Sequence, residues 1–146
     1  MRRMRGTKAQ RREAAVQRRE RMLAGDEKYL PSRDQGAVKA YVRDLVDSRR
    51  HLAGGFMPLA LLVIVVTLVP SPFVAQYASL VSIAMLLAII VEGMLLGRSV
   101  TRRVRARFPH TTESGAGLGF YAMTRATQLR RLRVPKPRIG PGDPVP

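Results

Sequence analysis

The sequence has 146 residues, enough for one ordinary domain, and carries 26 Lys and Arg against 10 Asp and Glu, a formal charge of +16. Such a surplus points towards anionic lipid or nucleic acid. There is no cysteine, which excludes disulfides, thiolate nucleophiles and cysteine-ligated metals.

The charge is unevenly placed. Fifteen of the basic residues lie between Arg2 and Arg50, and eleven between Arg98 and Arg138. From His51 to Gly97 there is no Lys or Arg, and Glu92 is the one acid. The middle of the chain therefore belongs to a different solvent from its ends.

Residues 1–33 form a basic N-terminal arm. Within it a helix is predicted over about 7–24: Thr7 and Gln10 fit a capping box, the run to Ala24 is rich in helix formers, and Gly25 is a natural stop. Residues 34–51 predict an amphipathic juxtamembrane helix with Asp34 as its cap. Val38, Tyr41, Val42, Leu45, Val46 and Leu52 share one face, while Lys39, Arg43, Asp44, Asp47 and Arg50 fill the polar side. The helix is expected to lie on a bilayer or against a neighbour, its mixed charges favouring a protein contact.

Residues 52–97 predict a transmembrane hairpin with spans 52–69 and 73–96. At 1.5 Å per residue the two runs reach ~27 Å and ~36 Å, against ~30 Å of hydrocarbon. Pro70-Ser71-Pro72 breaks the helix and turns it back. Both outer flanks carry Arg and the turn carries no charge, so the positive-inside rule places both termini in the cytoplasm of a bacterial plasma membrane. Pro58 falls about two turns into the first span and predicts a kink. Ala84, Ala88 and Glu92 form one i, i+4, i+8 row on the second helix, and Gly93 and Gly97 form a neighbouring pair of small residues; such rows allow close helix packing. Glu92 is about one turn from the cytoplasmic end, where it is expected to pair with Arg98 rather than to relay protons.

Residues 98–146 form a basic C-terminal arm. Gly115–Gly119 reads as a flexible linker and about 120–134 as a short helix, followed by an extended proline-rich tail. Arg49, Arg50, Arg98, Arg102, Arg103 and Arg105 are the expected contacts with anionic phospholipid or a partner. No basic motif interleaved with aromatics is present, which disfavours nucleic acid. No nucleophile elbow, phosphate loop or HExxH appears, and no histidine sits inside a span as a haem ligand, so no catalytic, cofactor or metal site is predicted.

Several stretches resemble an actinobacterial family of small two-helix membrane proteins of unknown function. They are Ala24–Glu27 with Leu30-Pro31, Val42–Arg50, Phe56–Leu59, Arg107–Pro109, Arg125-Ala126, Gln128–Arg133 and Pro135–Pro137. Members of that family begin with a longer Pro- and Lys-rich arm, whereas this chain starts at Met1-Arg2-Arg3. Some small helical proteins of this kind look like peripheral subunits of the cytochrome bc–cytochrome oxidase supercomplex. The fold expectation is thus all-α, a membrane hairpin with amphipathic and basic cytoplasmic helices. A chain too small for its own core and without visible chemistry is expected to be a non-enzymatic accessory subunit of a larger membrane complex. The alternative is a membrane anchor whose polybasic arms bind anionic lipid or nucleic acid.

Overall fold

A computed structural model describes residues 7–146; the first six residues of the expected arm lie outside them. Every regular element among the described residues is helical. Helix α1 spans Lys8–Ala24. Its capping box is formed: Thr7 Oγ1 accepts the Gln10 N–H, and the Thr7 N–H donates to Gln10 Oε1 at 2.9 Å. Gly25 ends the helix at φ +85°, a conformation that costs glycine little. No residue of α1 is buried.

Two 3₁₀ turns, Glu27–Tyr29 and Ser32–Asp34, lead into α2, Ala37–Asp47. Asp34 does not cap this helix. Gly36, at φ +101°, holds the cap position, and Asp34 turns inward and is buried. A 3₁₀ turn over Leu52–Gly55 precedes α3, Phe56–Thr67. Pro72 then opens α4, Pro72–Arg107, at a position where its missing N–H costs nothing. The 36 residues of α4 form one helix of ~54 Å, so the basic stretch after Gly97 continues the apolar one without a break.

Helix α5 spans Gly115–Thr127. It starts earlier than sequence suggests, and the expected glycine linker forms its first turn. Ser114 caps it by accepting the Gly117 N–H at 3.0 Å. It also ends earlier than 134: the chain leaves the helix at Gln128 and makes a 3₁₀ turn over Arg130–Leu132.

The expectation that the chain is too small for a core does not hold. On α4 the row Leu96, Val100, Val104 meets the row Leu118, Ala122, Ala126 on α5, with Val42 and Val46 of α2 and Ala53 closing the cluster. Both rows repeat every four residues, the spacing that lets helix ridges interlock. Tyr41 and Phe108 pack edge to face against it, with centroids 5.8 Å apart. We call this end the headpiece.

The other end is different. Helix α3 packs against α4, yet Leu61, Leu62, Ile64, Leu80, Ile83 and Leu87 are all exposed. Only 6% of the most apolar stretch of α4 is buried, so it is not the core helix of a globular domain. Among the described helices α4 alone is long and apolar enough to cross a membrane. The segment Leu52–Thr67 adds a second crossing only when joined to α2 over a 76° bend. Pro58 falls in the first turn of α3 rather than two turns inside a helix, and it is exposed. The first-turn amides have no intrahelical acceptor in any case, so proline there breaks no hydrogen bond and kinks nothing.

Candidate functional site: a buried charge network in the headpiece

Asp44 and Asp47 stand three residues apart on α2 and share a face. Sequence periodicity assigns that face to solvent. The fold covers it: Asp44 is 2% and Asp47 1% exposed. Two buried carboxylates on neighbouring turns require cations, and the C-terminal part of the chain supplies four.

Arg125, in the last turn of α5, grips Asp47 through both edges, Nε to Oδ1 at 3.2 Å and Nη2 to Oδ2 at 2.6 Å. Arg133 donates to the same Oδ1 at 2.7 Å. Arg130 donates to the Asp47 carbonyl oxygen at 2.7 Å, and Arg138 forks onto the Asp44 carboxylate. Further guanidinium N–H groups reach backbone carbonyls: Arg125 donates to Pro135 at 3.1 Å, Arg133 to Gln128 at 3.2 Å, and Arg130 to Ile139. Backbone bonds from Lys136 to Leu23 and from Gly142 to Ser48 fasten the tail over α1 and α2. Burial pulls the Arg133 guanidinium down from its ordinary range, and the hydrogen bond to Asp47 opposes that pull. Among the described residues no buried side-chain nitrogen or oxygen lacks a partner. This matters because a buried ion pair repays its desolvation only when every donor and acceptor is matched.

A second cluster lies beside it. Tyr121 of α5 donates to Asp34 Oδ1 at 2.8 Å, and Arg43 donates to the Asp34 carbonyl oxygen. Burial raises the Tyr121 hydroxyl pKa, while the Arg43 hydrogen bond works against the rise. Lys39 pairs with Glu113 at 3.1 Å and sits 4.9 Å from the centroid of the Tyr121 ring. Asp34, Lys39, Glu113 and Tyr121 line an open cleft of about 500 Å³.

Glu92 makes the third polar contact, and it is not the one expected. Its carboxylate accepts the backbone N–H of Leu52 at 2.9 Å and of Ala53 at 2.7 Å, and lies 3.2 Å from His51 Nδ1. Arg98, the expected partner, is exposed. The acid therefore caps the start of the Leu52–Gly55 turn and locks α4 to the entry of α3. A boundary carboxylate prefers two amides with no other acceptor to one mobile guanidinium that water already solvates. The other ring nitrogen, His51 Nε2, is 3.0 Å from the Val46 carbonyl oxygen, an acceptor only, so Nε2 carries hydrogen.

The small residues divide. Gly97 of α4 faces Gly119 of α5, and a side chain added at Gly119 would meet the Gly97 Cα at 3.2 Å. Gly93 faces Met123 of α5. The close approach that these residues permit is thus made within the headpiece. Ala84 and Ala88 are exposed, as are Arg49, Arg50, Arg98, Arg102, Arg103 and Arg105. The Asp47 and Asp44 network escaped sequence reading because α2 looks two-sided. The available signal was the arginine density of Gln128–Arg133 set against two acids in Val42–Arg50, the pair of stretches that the resemblance had already picked out. Among the described residues no three His, Asp or Glu side chains gather as a metal site. The arrangement joins α2, α5 and the tail, with α4 packed against them, into one basic body.

A family profile described as "Protein of unknown function (DUF3043)" matches residues 1–143. An uncharacterized protein of Mycobacterium leprae (strain TN) is 47% identical over 128 residues, 88% of this chain and 56% of the relative. Uncharacterized proteins of Mycobacterium bovis and of Mycobacterium tuberculosis (strain ATCC 25618 / H37Rv) are each 47% identical over 141 residues, 97% of this chain and 59% of the relative. The chain thus spans less than two thirds of the length of these curated relatives. No solved structure matches it.

Proposed function

We propose, from the premise that this chain belongs to the DUF3043 family of proteins of unknown function, that it is an integral membrane protein and a non-enzymatic accessory subunit of a larger complex. In this reading α3 and α4 form a membrane hairpin, both ends of the chain lie in the cytoplasm, and the headpiece stands on the cytoplasmic face. The observation that carries it is the contrast between the two ends. The headpiece closes on its own core and pairs its buried polar groups internally. The hairpin exposes leucine, isoleucine and valine on every side, and apolar area of that extent needs lipid or partner helices to cover it. The flanking arginines support the orientation, because Arg49, Arg50, Arg98, Arg102 and Arg103 all lie beyond the same end of the two apolar segments.

Reporter fusions test the topology. Reporters at the two termini should score as cytoplasmic, and one inserted at Ser71 should score as external; a cytoplasmic score at Ser71 overturns the hairpin. Purification in mild detergent through a tag on this chain tests the subunit role. A stoichiometric membrane partner is expected, with respiratory cytochromes the first to be sought. Recovery of the chain alone from native membranes removes the proposal. A second reading, a membrane anchor that binds anionic lipid through its basic arms, draws support from the exposed arginines at the end of α4. Association through charge falls steeply with added salt, whereas association through packed helices survives it.

A further inference from the structure

The headpiece carries a basic hollow that the charge network does not use up. Arg49 and Arg50, just beyond α2, face Arg130 and Arg133 from the segment after α5, with His51 and Gln128 between them around about 210 Å³. The two halves of this wall are some eighty positions apart in the chain, so the hollow is a product of the fold. No acid lines it. Carboxylates close to its lining residues are committed: Asp47 to Arg125 and Arg133, Glu92 to His51 and two backbone amides, and Asp143 to the Gly140 N–H.

The four arginines are not equivalent. Arg130 and Arg133 are held by Asp47 and by backbone carbonyls, which fixes where they point. The side chains of Arg49 and Arg50 are exposed and make no hydrogen bond or ion pair among the described residues. Arg133 is already paired with Asp47, whereas Arg130, Arg49 and Arg50 meet no carboxylate among the described residues, and this excess of positive charge favours the entry of an anion. A guanidinium matches phosphate oxygens in pairs. The space is below the ~300–1,000 Å³ of common small-molecule sites, which suits a compact headgroup better than a nucleotide with its base.

We infer that this hollow, walled by Arg49, Arg50, Arg130 and Arg133, binds a phosphate group, carried either by an anionic phospholipid or by a small soluble phosphate. The lipid source rests on the membrane reading above, because the hollow adjoins the Leu52–Gly55 turn from which α3 departs; the phosphate site itself does not depend on that reading. Arg49 and Arg50 close on the phosphate from the open side, and Arg130 and Arg133 form the back.

Calorimetric titration of the full chain in an uncharged detergent tests this. The probes are dihexanoyl phosphatidic acid, dihexanoyl phosphatidylcholine and inorganic phosphate. Saturable binding of phosphatidic acid is expected, with much weaker binding of phosphatidylcholine, whose choline the arginines repel. R49Q/R50Q should weaken the site by about tenfold or more, as expected for the loss of charge-assisted hydrogen bonds. R18Q/R19Q, which removes equal charge from the exposed helix α1, should stay within about twofold. Inorganic phosphate binding as tightly as phosphatidic acid keeps the site and assigns it to soluble phosphates; a requirement for the acyl chains assigns it to lipid. Equal losses in the two double variants, or binding that never saturates, overturn the proposal. The melting temperature of R49Q/R50Q should match that of the parent, since neither side chain is bonded, and the single variants R49Q and R50Q repeat the test if the double variant does not fold. Failure of the Ser71 reporter would remove the lipid arm and leave the phosphate arm standing.

Discussion

Arg125 holds Asp47 through two parallel hydrogen bonds, at 3.2 and 2.6 Å, with side chains that are 5% and 1% exposed. The residues lie on different helices and are separated by the whole apolar hairpin in sequence. This clamp fixes α5 against α2, and Arg133 and Arg138 extend the hold to the tail.

Asp47→Asn keeps the shape of the side chain and removes its charge. Arg125 and Arg133 are then buried without a counter-ion, and removing one partner of a buried pair costs about 3–5 kcal/mol. Chemical unfolding of the detergent-solubilised chain should show a loss of that size. Asp44→Asn should cost less, since its partner Arg138 is itself more than half exposed. Equal effects of the two substitutions would show that Asp47 is not the hub.

Glu92→Gln is a test of the cap on Leu52 and Ala53. A carboxylate accepts both amides through its two oxygens, whereas a carboxamide offers one oxygen and a nitrogen that cannot accept. One backbone N–H is left stranded, at a cost of about 1–3 kcal/mol. Glu92→Asp should also fail to restore the cap, being one methylene short. Arg98→Gln should be near neutral because Arg98 does not contact the acid. Thermal unfolding in detergent ranks the three; a larger loss for Arg98→Gln would reinstate the pairing expected from sequence.

Gly119→Leu forces a side chain into the backbone of α4, where even a Cβ would approach the Gly97 Cα to 3.2 Å. Overpacking of a tight contact costs about 1–3 kcal/mol. Gly97→Ala is milder, since its Cβ would stand at an ordinary 3.4 Å from Gly119 and alanine favours the helix by about 1 kcal/mol. Pro58→Ala, in an exposed first turn, should leave stability and partner recovery unchanged.

Tyr121 supplies a pH dependence. Burial raises its pKa, so the folded headpiece prefers the neutral phenol. Its contribution to stability is complete below the ordinary tyrosine range near ~10 and is lost as pH rises through the higher folded value. Tyr121→Phe removes the hydrogen bond to Asp34 and with it about 1 kcal/mol at neutral pH. Above ~pH 10 the parent should lose stability faster than Tyr121→Phe, and the gap between them should narrow. Unfolding midpoints of both proteins measured from pH 8 to 11 check this; a constant gap would place the Tyr121 hydroxyl in water.

Local chemistry determined several features. The Thr7 and Gln10 capping box, the stop at Gly25 and the break at Pro70–Pro72 depend on neighbours within a few residues, and they are legible for that reason. The segregation of charge from His51 to Gly97 likewise marks the apolar middle without any structural information. Periodicity also found the apolar face of α2, since Val42 and Val46 follow helical spacing.

Tertiary structure decided what covers each face. Asp44 and Asp47 look solvated on α2 because a single helix cannot reveal that a tail eighty to ninety residues later will fold over it. Glu92 has an arginine six residues away in sequence, but the backbone amides of Leu52 and Ala53 come to it only when α4 stacks on the entry to α3. Gly115–Gly119 has the composition of a linker. It becomes helix because glycine lets α5 approach α4 at Gly97, and the packing energy of Leu118, Ala122 and Ala126 outweighs the poor intrinsic propensity of glycine, about 1 kcal/mol per residue. Sequence determines propensity and polarity along the chain; burial of charge requires distant segments to meet, and no local pattern encodes that meeting.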